Sequence, residues 1–341
     1  MSELQPDVCS GNTKQLPEKH RRRVALLLAG LILSVTVSSC SFDHSLPTLE
    51  HSLAVEGESP LLQMVADNLE AEIGIPTGNS STIREIGSSQ DLFFAMQESL
   101  DVFSDDLYIE IESLDLFWTY WDELLREAAI HSVYLKGPID LEYRDTSPCV
   151  IRMMFSYDDA GLILQKHING EPMEFDREST ALLWQKAMSV KDEIIRDEMT
   201  DIEKEIAIHD YLVSVTTYAT EGDQTVLSLA QSVLINKEGQ CQGYAEAMGL
   251  LLTLSGIRTR VISGYASNSS EVSEPHAWNQ VFIDGNWYHV DATWNDPVPD
   301  MKEYVSHTYL NRSDMFMRLD HTWTSFYSAC PYDYEEMSLN P

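Results

Sequence analysis

The sequence predicts an α+β fold in which a cysteine at the start of a helix packs against an antiparallel sheet, preceded by a small α/β unit. Three observations predict it. After Gly239 and Gln240, the residues Ala245, Met248, Leu251, Leu252 and Leu254 recur at helical spacing, so Cys241 falls in a first turn, with Gly256 placed to close the helix. Two segments rich in aromatic and β-branched residues, Ala277 to Ile283 and Trp287 to Thr293, flank a turn signal at Asp284-Gly285-Asn286. Upstream, from Gln90 to about Phe175, helix and strand patterns alternate over short distances.

The chain opens on a basic cluster, Lys19 to Arg23, then an apolar run of 14 residues from Val24 to Val37, then Val37-Ser38-Ser39-Cys40. The run is short for a membrane span, which needs about 20 residues. Its flanks are those of a signal peptide, and the box before Cys40 matches lipoprotein processing. Residues 1–39 are therefore expected to be a bacterial lipoprotein signal, with Cys40 the lipidated first residue that holds the body to the cell membrane outside the cytoplasm. An uncleaved anchor helix is the alternative, and it too places the rest outside the cytoplasm. Residues 40–60, rich in Ser, Glu, His and Pro, read as a flexible tether.

Residues 61–175 are expected to form the accessory α/β domain. Leu61 to Ile73 has the pattern of a short amphipathic helix and Pro76 to Thr82 that of a loop. Asp91 to Phe103 and Leu114 to Ala129 read as helices, and Leu107 to Ile111 as a strand. Further strands are expected at His131 to Leu135, Leu141 to Arg144, Val150 to Tyr157 and Leu162 to Lys166, with Asp158-Asp159-Ala160-Gly161 as a hairpin turn. Trp118, Tyr120 and Trp121 have the spacing of core residues rather than of a ligand platform.

The second domain, residues 179–330, begins with helices at Leu182 to Met199 and Asp201 to Val215. Thr200 with Glu203 makes a capping box for the second of them. His209 shares a face with Ile206, Leu212 and Val213, and is read as packed against the core. Gln224 to Ile235 suggests another helix, and Val261 to Ala266 a strand leading into the loop Ser267 to Glu274.

Cys241, His276 and Asp291 are the residues that carry chemistry. A thiol becomes a nucleophile as thiolate, which a nearby base secures, and the base needs a third group to fix its orientation. A helix N-terminus favours the anion, so the thiol is expected below its ordinary pKa of about 8.5. Hairpin register tests the rest: a two-residue loop at Asp284 and Gly285 makes paired residue numbers sum to 569. That sets His276 opposite Thr293, with Asp291 a diagonal neighbour on the same face. A three-residue loop gives 570 and turns Asp291 away.

The pattern Gly239-x-Cys241-x-Gly243-Tyr244-Ala245, then His276-Ala277-Trp278-Asn279, then Trp287-Tyr288-His289-Val290-Asp291-x-Thr293-Trp294, resembles the bacterial transglutaminase-like superfamily of papain-related thiol enzymes. The resemblance covers about residues 180 to 325. It implies a papain/transglutaminase-like core and a Cys241-His276-Asp291 triad acting on peptide or isopeptide amides, as a cysteine peptidase, amidase or protein-glutamine acyltransferase. Hydrolysis is the favoured outcome. The Cys241 amide is the expected oxyanion donor, with Gln240 or Tyr218 as candidates for the second. His289, two residues before Asp291, lacks the Ala-Trp-Asn context of His276 and is not taken as the base. A non-catalytic binding or scaffold module that retains the fold is the alternative, against which the complete triad counts.

Composition bounds the partners. The formal net charge is −33, and loss of residues 1–39 removes five basic and three acidic residues, leaving the remainder more negative still. So acidic a body argues against nucleic acid. The expected partner is a protein or peptide substrate, with cell-wall peptide a candidate on location alone. Neither a cofactor nor a metal site is expected, because no CxxC or metal-spaced His/Cys cluster occurs. Cys149 and Cys330 are left either to pair or to remain buried thiols.

Overall fold

The computed structural model describes residues 83–334 apart from 127–133, 138, 145, 268–272, 299–300 and 302–303. The signal segment, the tether, Cys40, the Leu61 to Ile73 helix and the Pro76 to Thr82 loop lie outside the described residues. Most of the His131 to Leu135 strand and most of the Ser267 to Glu274 loop do as well.

The fold is α+β, built on two four-stranded sheets. In the first, β1 (Arg84–Ile86), β2 (Asp106–Ile111), β3 (Asp140–Arg144) and β4 (Cys149–Met154) lie in the order β1-β2-β4-β3. The parallel pair β1 and β2 is joined by helix α1 (Ser89–Asp101), whose cap Ser88 accepts the amide of Asp91. Helix α2 (Leu114–Arg126) buries Phe117, Trp118, Trp121 and Leu124, so Trp118 and Trp121 are core as their spacing implies, whereas Tyr120 is only partly buried and donates its hydroxyl to the Gly87 carbonyl at 2.7 Å.

The strand expected at Leu162 to Lys166 is instead part of helix α3 (Asp159–Asn169). Asp158 is its N-cap, accepting the Gly161 amide, and Gly170 closes it in the left-handed conformation. Ala160, Ile163 and Leu164 are buried at helical spacing, while the Asp-Asp-Ala-Gly run is a helix start. Periodicity over the short run Leu162-Ile163-Leu164 alone does not separate the two readings.

Helix α4 (Glu178–Ile194) leads to α5 (Asp201–Val215), opened by the capping box of Thr200 and Glu203. The helix expected from Gln224 to Ile235 breaks into α6 (Gln224–Leu227) and a π-helical turn over Ser232–Asn236. Two short parallel strands, β5 (Thr217–Tyr218) and β6 (Glu238–Gly239), then set Tyr218 beside Gly239 at the entrance to α7 (Cys241–Leu254). All of α7 except Cys241, Gln242 and Thr253 is buried. Gly243 permits this depth, since a Cβ there would meet the Leu227 carbonyl oxygen at 2.6 Å.

Against α7 packs the second, antiparallel sheet: β7 (Thr259–Ser267), β8 (Ser273–Ile283), β9 (Asn286–Val290) and β10 (His321–Thr322), in the order β10-β7-β8-β9. Asn279 and Val290, Val281 and Tyr288, and Ile283 and Asn286 are paired, a sum of 569 throughout. Asp284 and Gly285 have φ of 49° and 85°, the two positive values of a type I′ hairpin turn. The ladder stops at Val290, however, because Asp291 caps a short helix, α8 (Ala292–Asn295). His276 therefore faces Gly264 of β7, and the Thr293 pairing is not made. A second short helix, α9 (Asp314–Met317), precedes β10.

Apolar packing is continuous from Leu92 and Phe117 of the first sheet's helices through Met248 and Leu251 to Trp278. Phe93 meets the ring of Tyr327 at 5.2 Å, and the Tyr134 amide donates to Glu246 of α7 at 3.1 Å. The helix that begins with Cys241 is thus held from both sides.

Candidate active site

Cys241 is the first residue of α7, and Gln240, extended at φ −117°, is its N-cap. The thiol is half-buried at the positive end of the helix. Burial opposes its ionisation. The hydrogen bond and charge of His276, followed by the Ala277 amide, outweigh burial and bring the thiol below its ordinary range.

His276 lies near the start of β8 and is 6% exposed. Its Nε2 is 2.7 Å from Oδ2 of Asp291, which leaves Nδ1 for the thiol. Burial disfavours the imidazolium, but the Asp291 charge and hydrogen bond, with the contribution of Cys241, raise His276 to about 10. Trp278 stacks beside the ring at 5.9 Å and Trp294 closes from another side at 5.8 Å.

Asp291 is fully buried, a position that penalises a charge. Its bonds more than compensate and hold the carboxyl well below the usual range: His276 acts first, then a second imidazole, His321. Oδ1 accepts the Trp294 amide at 3.0 Å, while Oδ2 accepts His276 and, at 3.1 Å, Nε2 of His321. The three residues expected as a triad are thus brought into one hydrogen-bonded line, with the cap of α8 as its anchor.

Both candidates for a second oxyanion donor retain a proton to give. The Gln240 side-chain NH₂ donates one N–H to the Ala219 carbonyl at 3.1 Å and keeps a second. Tyr218 sits within electrostatic reach of the thiol, and burial, then the Cys241 charge, pushes its phenol up to about 12. A neutral hydroxyl keeps the proton that an oxyanion donor needs.

Neither of the other histidines singled out in the sequence reaches the thiol. His289 accepts the Trp278 indole N–H on Nδ1 at 2.9 Å, so its Nε2 donates to Asp314, also 2.9 Å away. His209 is fully buried in the core face of α5. Asn295 spends its Oδ1 on the Tyr309 amide and donates through Nδ2 to Nε2 of His209, whose Nδ1 donates to Asp210. His321 is the site residue that sequence reasoning missed. Thirty residues separate it from Asp291, and no local pattern in Asp320-His321-Thr322-Trp323 marks it.

Among the described residues, three groups bring possible metal-ligand atoms within 4.8 Å of one another: His209-Asp210-His307, His289-Asp314-Cys330 and His276-Asp291-His321. In the first two, the hydrogen bonds above commit the nearer nitrogen of His209 and of His289 to donating a proton to Asp, which a metal would have to displace. The third is the site itself. Cys149 and Cys330 are both buried free thiols; Cys149 donates to the Arg144 carbonyl, and Cys330 accepts from Gln280, its thiol pushed far up by burial.

Residues 188–292 match the sequence model of the transglutaminase-like superfamily, an interval that contains Cys241, His276 and Asp291. Kyphoscoliosis peptidase of Homo sapiens is 28% identical over 129 residues, 33% of this chain and 19% of its own length. The Mus musculus protein is 25% identical over 118 residues, 32% of this chain and 18% of its own. The chain thus spans under a fifth of the length of these curated relatives. A crystal structure of a TGase overlaps 55% of this chain and 51% of that one, at 16% identity and a TM-score of 0.28. The α+β fold, the helix-borne cysteine against an antiparallel sheet and the match over residues 188–292 come together in one conclusion: within this chain, residues 188–292 form a domain similar to those of the transglutaminase-like superfamily.

Proposed function

We propose that the chain is a thiol enzyme of acyl transfer that hydrolyses peptide or isopeptide amides. The observation that carries this reading is the hydrogen-bonded line from the Cys241 thiol through His276 to the buried Asp291. Cys241 Sγ attacks the carbonyl carbon, and the amide C–N bond breaks as His276 gives its proton to the leaving amine. His276 then takes a proton from water, whose oxygen replaces sulfur on the acyl carbon and returns the thiol. The Cys241 amide and the Tyr218 hydroxyl are the proposed donors to the oxyanion. Kyphoscoliosis peptidase carries hydrolysis in its name, which supports water over an amine as acceptor.

Incubation with a mixed peptide pool, with and without a fluorescent primary amine, tests the reaction. New amino termini support hydrolysis. Amine incorporation without cleavage replaces it by cross-linking, and neither product from a chain with a reactive Cys241 defeats the acyl-transfer reading. Within that assay, Tyr218→Phe is expected to lower turnover about 100-fold, the usual cost of one oxyanion donor, with Cys241 alkylation unchanged. Equal loss of both, or of neither, excludes the donor role.

The proposal extends to location. The Val37-Ser38-Ser39-Cys40 box supports a lipid anchor at Cys40, with the body outside the cytoplasm and cell-wall peptide within reach as substrate. Metabolic labelling with a radioactive fatty acid, lost in Cys40→Ser, is the expected result; equal labelling of the variant removes the anchor from Cys40.

A further inference from the structure

We propose that His321 is a positioning residue of this site, a second imidazole that donates to Asp291 from behind and, together with Asp320, keeps that carboxylate charged and aimed at His276. The inference rests on the thiol-enzyme reading and adds a member to it.

Proton counting carries the argument. Nε2 of His321 lies 3.1 Å from Oδ2 of Asp291, and Nδ1 lies 2.6 Å from Oδ1 of Asp320. An ionised carboxylate only accepts. With both carboxylates ionised, the two bonds form together when His321 donates from both nitrogens, as a cation between two anions. Asp320 is itself held in place, its Oδ2 accepting the Tyr309 hydroxyl at 2.6 Å. The chain of bonds therefore runs Tyr309, Asp320, His321, Asp291, His276, Cys241, with acceptors and donors alternating.

The fold builds this arrangement on purpose-made contacts. Strand β10 pairs with β7 through His321 and Ala266, and it lies so close that a Cβ on Gly264 would overlap the Thr322 carbonyl. The His321 ring is fully buried among Trp278, Trp294 and Tyr309, with centroids 5.1, 4.5 and 5.6 Å away. Apart from the two carboxylates and Tyr309, the titratable groups facing it are His276, 5.4 Å between ring centroids, and His289. Removing the cation leaves Asp291 with one imidazole and deepens the negative field at His276. His276 then holds its proton to higher pH, and its orientation loosens.

The test uses the full chain and two readouts that need no substrate. Two-bond ¹H–¹⁵N correlation at neutral pH is expected to show both His321 nitrogens protonated; a single protonated nitrogen overturns the proposal. The pH profile of Cys241 alkylation is then compared in the parent, His321→Gln, Asp320→Asn and the double variant. The upper inflection, which reports His276, is expected to rise in both single variants and to rise no further in the double. A structural role alone leaves the inflection in place, and unmoved inflections or simply additive shifts sink the idea. Asp320, partly exposed, guards against the case in which His321→Gln fails to fold. His276→Ala is the reference: if it too leaves alkylation unaltered, the thiol-enzyme reading has failed, whereas a response to His276→Ala alone defeats only the role of His321.

Discussion

His276→Ala should move the alkylation profile of Cys241 up by more than its loss of contact alone implies. In the intact site, burial and the Asp291 charge both push the thiol upward, and only His276 and the Ala277 amide pull it down. Taking away the imidazole removes the principal opposing influence and leaves the Asp291 charge without the nearer of its two imidazole partners. The thiol then belongs at or above its ordinary range, so at pH 7 about 3% or less is ionised. Alkylation at neutral pH should accordingly fall about 30-fold or more, the difference narrowing as pH rises. The sign is specific: a site without a thiolate-imidazolium pair predicts little change at neutral pH, and an unaltered profile in a folded variant removes His276 from the mechanism. In the parent, the reactive state spans the interval from the lowered thiol pKa up to about 10, where His276 loses its proton. Turnover should decline above that pH, because the leaving amine then lacks its proton donor.

The parts of this site that were legible in the sequence are those set by local chemistry. The Asp284-Gly285 turn fixes register because both residues tolerate positive φ, and register puts the His276 and Asp291 strands side by side. Thr200 with Glu203 fixes the start of α5 by a different local device, a satisfied pair of orphan amides. Where local signals are ambiguous, the outcome is decided by packing. The start of α3 reads equally as a hairpin turn, and the helix prevails because it buries Ala160, Ile163 and Leu164 on one side. Asp291 was expected as a strand residue. It serves instead as the cap that ends β9, and this frees its carboxylate to reach past the end of the ladder to His276. His321 depends wholly on long-range placement, since the two-residue pairing of β10 with β7 delivers it and no sequence periodicity encodes so short a strand.

Asp291→Asn should damage turnover heavily while being the less visible of the two changes in alkylation. The carboxylate accepts three hydrogen bonds, one on Oδ1 from Trp294 and two on Oδ2 from His276 and His321. An amide can match either set but not both. With its oxygen toward Trp294 it keeps the cap and presents an NH₂ to two ring nitrogens that were donating. His276 must then give up its Nε2 proton and carry the remaining one on Nδ1, facing the thiol, which is the wrong tautomer for a base. With the amide reversed, the imidazoles keep an acceptor but the Trp294 amide meets a donor, and the cap of α8 is lost at about 1 kcal/mol. Either orientation also removes the charge that sustains the imidazolium, so His276 should fall from about 10 toward its ordinary value. Turnover is expected to drop by about 10³ to 10⁴, the scale for an orienting carboxylate in such a triad. Alkylation should fall far less, since Asp291 itself raises the thiol and its neutralisation partly offsets the weaker imidazolium. The two measurements on one variant therefore separate the roles. A large loss of turnover with a modest change in labelling assigns Asp291 to orientation, whereas parallel losses would mean that the variant has collapsed the site as a whole, which a melting temperature close to the parent's would rule out.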